Sequence, residues 1–129
     1  MKTQRVFSGA PWEKSVGYCR AIKSGNFIAV SGTTSVDSAG QVWGRGDGYL
    51  QAKRCLEIIQ RALNEVGADL KDVIRTRMFV SDISLWEQYG RAHSEFFGNF
   101  PPATSMYEVK ALINPEMLIE IEVDAIVAE

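Results

Sequence analysis

The stretch "MLIEIEVDAIV" at residues 117–127 decides how this chain folds. Ile119, Ile121, Val123, Ala125 and Val127 alternate with Glu120, Glu122 and Asp124, and a period of two marks a β-strand with one face in the core. The opposite face carries three carboxylates on alternate residues. They repel one another unless cations or water lie across from them. The strand therefore calls for an apolar cover on one side and positive charge beside it on the other.

The apolar cover comes from a helix expected over 49–66. Ala52, Cys55, Leu56, Ile59, Ala62, Leu63 and Val66 recur at steps of three and four, the stripe of an amphipathic helix that must lie on a sheet. Asp47 suits its N-cap, and Gly67 stands where a helix end favours glycine. A strand follows at 73–81, "VIRTRMFVS", with Arg75 and Arg77 on one face. If it neighbours 117–127, those arginines balance the acidic row. A second helix is expected over 85–97, with Leu85, Tyr89, Ala92 and Phe96 on its apolar side and Gly98 at its end.

Three short extended segments precede these elements, at 3–7, 18–23 and 27–32, the last two separated by the turn Ser24-Gly25-Asn26. "DSAGQ" at 37–41 places Gly40 where a left-handed residue closes a hairpin, returning Val42 and Trp43 against Val36. Phe100-Pro101-Pro102 stops the second helix, because proline lacks the donor a helix needs. A strand at 103–112 and a turn at Asn114-Pro115 then lead into 117–127. On 103–112, Ala103, Ser105, Tyr107 and Val109 share one face, and Thr104, Met106, Glu108 and Lys110 the other. The expected fold is α+β: a mixed, mostly antiparallel sheet with both helices on one face. The acidic face is then either open to solvent or covered by a symmetric partner.

At 129 residues with 46% hydrophobic content, the chain has the size and core of one domain, taken as residues 1–129. A net charge of -2, from 14 basic and 16 acidic residues, offers no electrostatic reason to bind nucleic acid or an anionic membrane. No apolar run has the length of a signal peptide or membrane span, which leads to the expectation of a cytoplasmic protein. Cys19 and Cys55 are too few to staple such a domain and are expected as thiols.

Other features have plainer explanations than chemistry. His93 is the only histidine, with no metal-ligand spacing around it, and suits packing or a surface. No metal or cofactor is expected. "GRGDG" at 44–48 lacks the lysine and hydroxyl of a phosphate loop, and Asp47 would repel a phosphate. Trp12, Trp43 and Trp86 suit core or interface packing better than ligand stacking.

Taken together, "GYCRAIKSGNFIAVSGT" (17–33), "GDGYLQAKRCLEIIQRALNEVGADLKDVIRTRMFVSDI" (46–83), "PATSMYEV" (102–109) and "NPEMLIEIEVDAIV" (114–127) resemble the RidA-like, or YjgF-type, reactive-intermediate deaminases. These proteins were formerly labelled L-PSP endoribonucleases. The resemblance implies a chorismate-mutase-like protomer and a homotrimer, with small-molecule clefts at the subunit boundaries. In deaminating members an arginine follows Pro-Ala and grips the carboxylate of a 2-imino or enamine acid, while a glutamate on the last strand positions the attacking water. Carried over, the resemblance makes Glu120 the catalytic residue, with Glu122 as the alternative. It assigns Tyr18, Ser31, Gly32, Thr104, Ser105 and Met106 to the ligand cleft.

Thr104 stands where the arginine is expected and Met106 where a cysteine is. A threonine hydroxyl has no bidentate cationic fork, and losing a charged partner for a carboxylate costs about 1.5–3 kcal/mol. Hydrolysis of ordinary 2-imino acids is therefore not expected. Arg20 is the candidate replacement anchor, the alternative being a surface or interface salt bridge. Two functions remain: hydrolysis of a reactive imine or enamine lacking an α-carboxylate, or non-catalytic metabolite binding by a regulatory trimer. A ribonuclease role finds no basic groove, aromatic ladder or histidine pair to support it.

Overall fold

In the computed structural model, which describes residues 2–128, the alternating stretch lies in the middle of a six-stranded sheet. The elements in chain order are β1 (Thr3–Val6), β2 (Ala21–Ser24), β3 (Phe27–Thr34), α1 (Gly48–Glu65), β4 (Val73–Val80), α2 (Trp86–Phe97), β5 (Ala103–Glu108) and β6 (Ile119–Ile126). The sheet order is β1-β2-β3-β6-β4-β5. Only β4 and β5 pair in parallel, with α2 as the crossover that parallel neighbours require. β6 runs antiparallel to both β3 and β4 and fills the place between them, while α1 carries the chain from one to the other. The expected mostly antiparallel α+β architecture is the one observed.

The alternation of β6 sets both faces. Ile119, Ile121, Val123 and Ala125 are fully buried, under an α1 stripe of Ala52, Cys55, Leu56, Ile59 and Leu63 that is equally inaccessible. α1 starts at Asp47, whose carboxylate accepts from the Leu50 amide at 2.9 Å, and the chain leaves it through Gly67 at φ +80°. Buried Gln51 ties its first turn to the entry of β6: its amide donates to the carbonyls of Gly44 and Glu116, and its carbonyl accepts from Leu118 N–H. The hairpin before α1 closes as expected, with Val36 bridged to Val42 and Gly40 at φ +82°.

Several boundaries and orientations differ from expectation. Tyr18, Cys19 and Arg20 precede β2 rather than belonging to it, because a π-helical turn at Glu13–Gly17 delivers the chain to the sheet edge. β5 stops at Glu108 instead of continuing to 112; Val109 N–H still bonds Val80 O, but β4 ends there and offers no further partner. Phe97, rather than Phe96, is the fully buried phenylalanine of α2. Trp12, Trp43 and Trp86 are exposed, each on a turn or at the first residue of a helix rather than on a core-facing stripe. Among the described residues no helix is long and apolar enough to cross a membrane.

Because the Asp47 carboxylate occupies an otherwise unpaired donor of α1, Asp47→Ala should lower stability by about 1 kcal/mol. Chemical denaturation should show the lower midpoint with an unchanged m-value.

Candidate functional site

A bulge in β3 builds the site. Val30 pairs with Val123 and Thr33 with Ile121, so three steps on β3 face two on β6, and the surplus falls at Ser31 and Gly32. Bulges of this kind bend a strand and re-aim its groups. Ser31 is fixed on both sides: its N–H donates to Arg20 O at 2.9 Å and its hydroxyl to Cys19 O at 2.7 Å. Gly32 leaves a gap that the Glu120 side chain occupies. A Cβ built at Gly32 would lie 2.0 Å from Glu120 Oε2 and 2.9 Å from its Cδ.

Arg20 closes this pocket from the N-terminal side. It is only 8% exposed, so of the surface or interface salt bridge weighed against an anchor, the surface form is ruled out. One Nη donates to Gly32 O at 2.9 Å, the guanidinium lies 5.6 Å from the centre of the Tyr18 ring, and Nε is 4.0 Å from Glu13. Glu13 is itself buried and accepts from the amide and hydroxyl of Ser8. Arg20 thus has Glu13 beside it and Glu120 within its field, and its Nε is buried without a hydrogen-bond partner among the described residues.

The two candidate carboxylates separate clearly. Arg77 spans Glu122 at 3.3 Å and Asp124 at 3.1 Å, so those two form the balanced part of the acidic row. Arg75 makes no ion pair among the described residues. Glu120 also makes no direct ion pair there, and it is half-buried. Burial raises its pKa above the ordinary 4.5; Arg20 works against that rise and Glu122 adds to it. A carboxyl raised in this way holds its proton more tightly than an exposed one.

Thr104 and Met106 do not join Glu120 within one protomer. Register pairs Thr104 with Thr76 and Met106 with Met78, both on the helix-covered face, whereas Glu120 pairs with Phe79 on the open face. Ser105 pairs with Arg77 and does share the open face with the acidic row. Thr104 instead meets Thr76 at 2.8 Å and His93 Nε2 at 3.4 Å, with Thr76 and His93 2.9 Å apart. Sequence analysis gave His93 no role and did not single out Thr76. The available signal was a threonine at a core-facing strand position, since a buried hydroxyl needs a partner. Cys55 is a buried free thiol whose pKa burial pushes up, an inert packing group. No three His, Cys, Asp or Glu side chains converge on a metal-binding arrangement among the described residues.

The sequence and the fold both match known proteins. The family model described as Endoribonuclease L-PSP matches residues 9–127. The chain belongs to this family. A RutC family protein of Pyrococcus abyssi is 37% identical over 84% of this chain and 86% of its own length. The 3-aminoacrylate deaminase RutC of Acinetobacter baylyi is 33% identical over 81% of this chain and 82% of its own length. Among solved structures, a member of the YjgF/YER057c/UK114 family from Mycobacterium tuberculosis superimposes with a TM-score of 0.89 at 43% identity, covering 98% of this chain and all of the other. The RidA-like resemblance read from the sequence is thus a family relationship.

Gly32→Ala should displace the Glu120 carboxylate while the fold survives, because the obstructed atoms are the end of a flexible side chain and Gly32 does not need a positive φ. Carbon-13 NMR of the side-chain carboxyl should report the move. Glu120 also makes a pH prediction. A carboxyl whose folded pKa is raised holds its proton more tightly when folded, so its contribution to stability is fully present below about pH 4.5 and is lost as pH rises through the folded value. Glu120→Gln should therefore have a higher melting temperature than the wild type at neutral pH, with the difference vanishing on acidification.

Proposed function

We propose that this protein hydrolyses a reactive imine or enamine that carries no α-carboxylate, with Glu120 positioning the water. The observation that carries the reading is Glu120 itself: the one carboxylate of the β6 row without a cation partner, seated against Gly32 and raised in pKa by burial. In the first step a water oxygen forms a bond to the imine carbon, the C=N π pair moves to nitrogen, and Glu120 takes the water proton. In the second step Glu120 returns that proton to nitrogen, giving the carbinolamine, then takes the hydroxyl proton as the O–H pair becomes the C=O π bond, and passes it to nitrogen as the carbon–nitrogen bond breaks and ammonia or an amine leaves. An enamine enters the same sequence after protonation at its β-carbon. Kinship to a relative named for the deamination of 3-aminoacrylate, an enamine acid, supports the reaction class.

The absence of an arginine at Thr104 and the carboxylate of Glu13 beside Arg20 support a substrate without an α-carboxylate. The carboxylates Glu13, Glu120, Glu122 and Asp124 would favour an iminium cation over an anion. We further propose that the chain acts as one domain and as a homotrimer, whose subunit boundaries bring Thr104 of one copy towards Glu120 of another. The open sheet face supports assembly, since Phe27 and Ile126 pair there across β3 and β6 and both are exposed, as is Tyr107 on the same face. Light scattering should give three times the 14.3 kDa chain mass.

Ammonia release tests the activity. Imines generated by an amine oxidase should be hydrolysed above the spontaneous rate, and 2-imino acids generated by an amino-acid oxidase should not. Glu120→Ala should abolish the activity. Thr104→Arg should raise 2-imino acid hydrolysis by about tenfold or more, the value of a charged anchor. A wild type inactive on both substrate classes, with no gain from Thr104→Arg, would instead indicate a metabolite-binding trimer without turnover.

A further inference from the structure

Thr76, Thr104 and His93 form a closed polar cluster that the hydrolytic chemistry does not use. Thr76 is completely buried in the middle of β4, Thr104 is exposed on the edge strand β5, and His93 reaches them from α2 with its ring against Phe97. The distances are 2.8 Å from Thr104 Oγ1 to Thr76 Oγ1 and 2.9 Å from Thr76 Oγ1 to His93 Nε2. Two hydroxyl protons and one ring nitrogen permit a single continuous direction of donation at a time. Burial lowers the pKa of His93, which favours the neutral imidazole, and no charged neighbour contributes to that shift.

The His93 tautomer decides whether Thr76 donates to Nε2 or accepts from it. In either case the Thr104 hydroxyl proton has an acceptor within the protein, Thr76 Oγ1 at 2.8 Å or the Pro102 carbonyl at 3.3 Å, which leaves a lone pair facing out from the sheet edge. The Pro102 carbonyl accepts from Thr104 and brings that oxygen no proton. An exposed oxygen that can only accept repels a carboxylate and receives an N–H or O–H group. It is the reverse of an arginine fork in both charge and hydrogen-bonding sense.

We propose that Thr104, Thr76 and His93 form a recognition point for an uncharged hydrogen-bond donor on the ligand, such as a primary amide, with Thr104 Oγ1 as acceptor and His93 as a positioning residue. This names the group that takes the place of the carboxylate, and so rests on the reading above for its place in the substrate. It does not rest on turnover for its test.

Propionamide and propionate are matched probes, alike in size and different in charge and donor capacity. Each is titrated into the wild type while the Thr104 methyl and His93 Cε1–H NMR signals are followed. Propionamide should shift both signals saturably, and propionate should not. Thr104→Val, nearly isosteric at an exposed position, should weaken propionamide by roughly three- to tenfold, the worth of one neutral hydrogen bond. Thr104→Arg should reverse the preference. His93→Gln, which keeps an acceptor facing Thr76, should retain the propionamide response, and His93→Leu should lose it. Equal responses to the two probes, no response to either, or an undiminished response in Thr104→Val would overturn the proposal. Probe selectivity without ammonia release would refute the hydrolytic function and leave this site standing; ammonia release without selectivity would do the opposite.

Discussion

The pairing of β6 between β3 and β4 is the constraint on which the rest depends. Side chains alternate across a sheet, so a slip of one residue would turn Glu120, Glu122 and Asp124 into the core and Ile119, Ile121 and Val123 out of it. Burying three carboxylates without partners is far costlier than any gain such a slip could bring. The register is thus fixed by β6 itself, and it carries the neighbours with it: Thr76 and Met78 inward, Arg77 and Phe79 outward. Once β4 is placed, parallel pairing determines the faces of β5 as well.

Within this regular frame the bulge at Ser31-Gly32 is the one local departure that matters for chemistry. It brings Gly32 against the end of Glu120 and points the Gly32 carbonyl at Arg20. Farther along the acidic row, Arg77 lies between Glu122 and Asp124 and neutralises them. Electrostatic repulsion along β6 is therefore relieved at two positions and left standing at the third. Glu120 remains half-buried without an ion pair of its own among the described residues, and burial holds its pKa above the ordinary carboxylate value against the pull of Arg20.

The other departure lies on the opposite face. Relative to the deaminating pattern that the chain resembles, Thr104 replaces a long cation by a short hydroxyl, and the hydroxyl is absorbed into a cluster with Thr76 and His93. A guanidinium would have extended from the edge strand with charge to spare for a ligand. The hydroxyl stays at the sheet edge and presents whatever the cluster leaves unspent. Family membership fixes the scaffold, and a change of this kind at the site bears on which small molecule it accepts.

Much of this was legible in the residues alone. The alternation at 117–127, the stripe at 49–66 and the capping residues Asp47 and Gly67 located the elements, because helical and strand periods leave different marks in sequence. Of the two arginines expected to balance the acidic row, Arg77 does so, since opposite charges on facing strands draw together, while Arg75 makes no ion pair among the described residues. Sequence also identified Thr104 as the position where an anchor is missing. It ranked Glu120 ahead of Glu122 by resemblance alone, because both sit on the same strand face and only the placement of Arg77 and Gly32 tells them apart physically. It likewise gave no way to know that Arg20 is buried beside Glu13, or that Thr104 turns towards Thr76 and His93. Those contacts join residues far apart in the chain, and their geometry is set by strand register and by how a loop and a helix pack on the sheet, which only the tertiary structure decides.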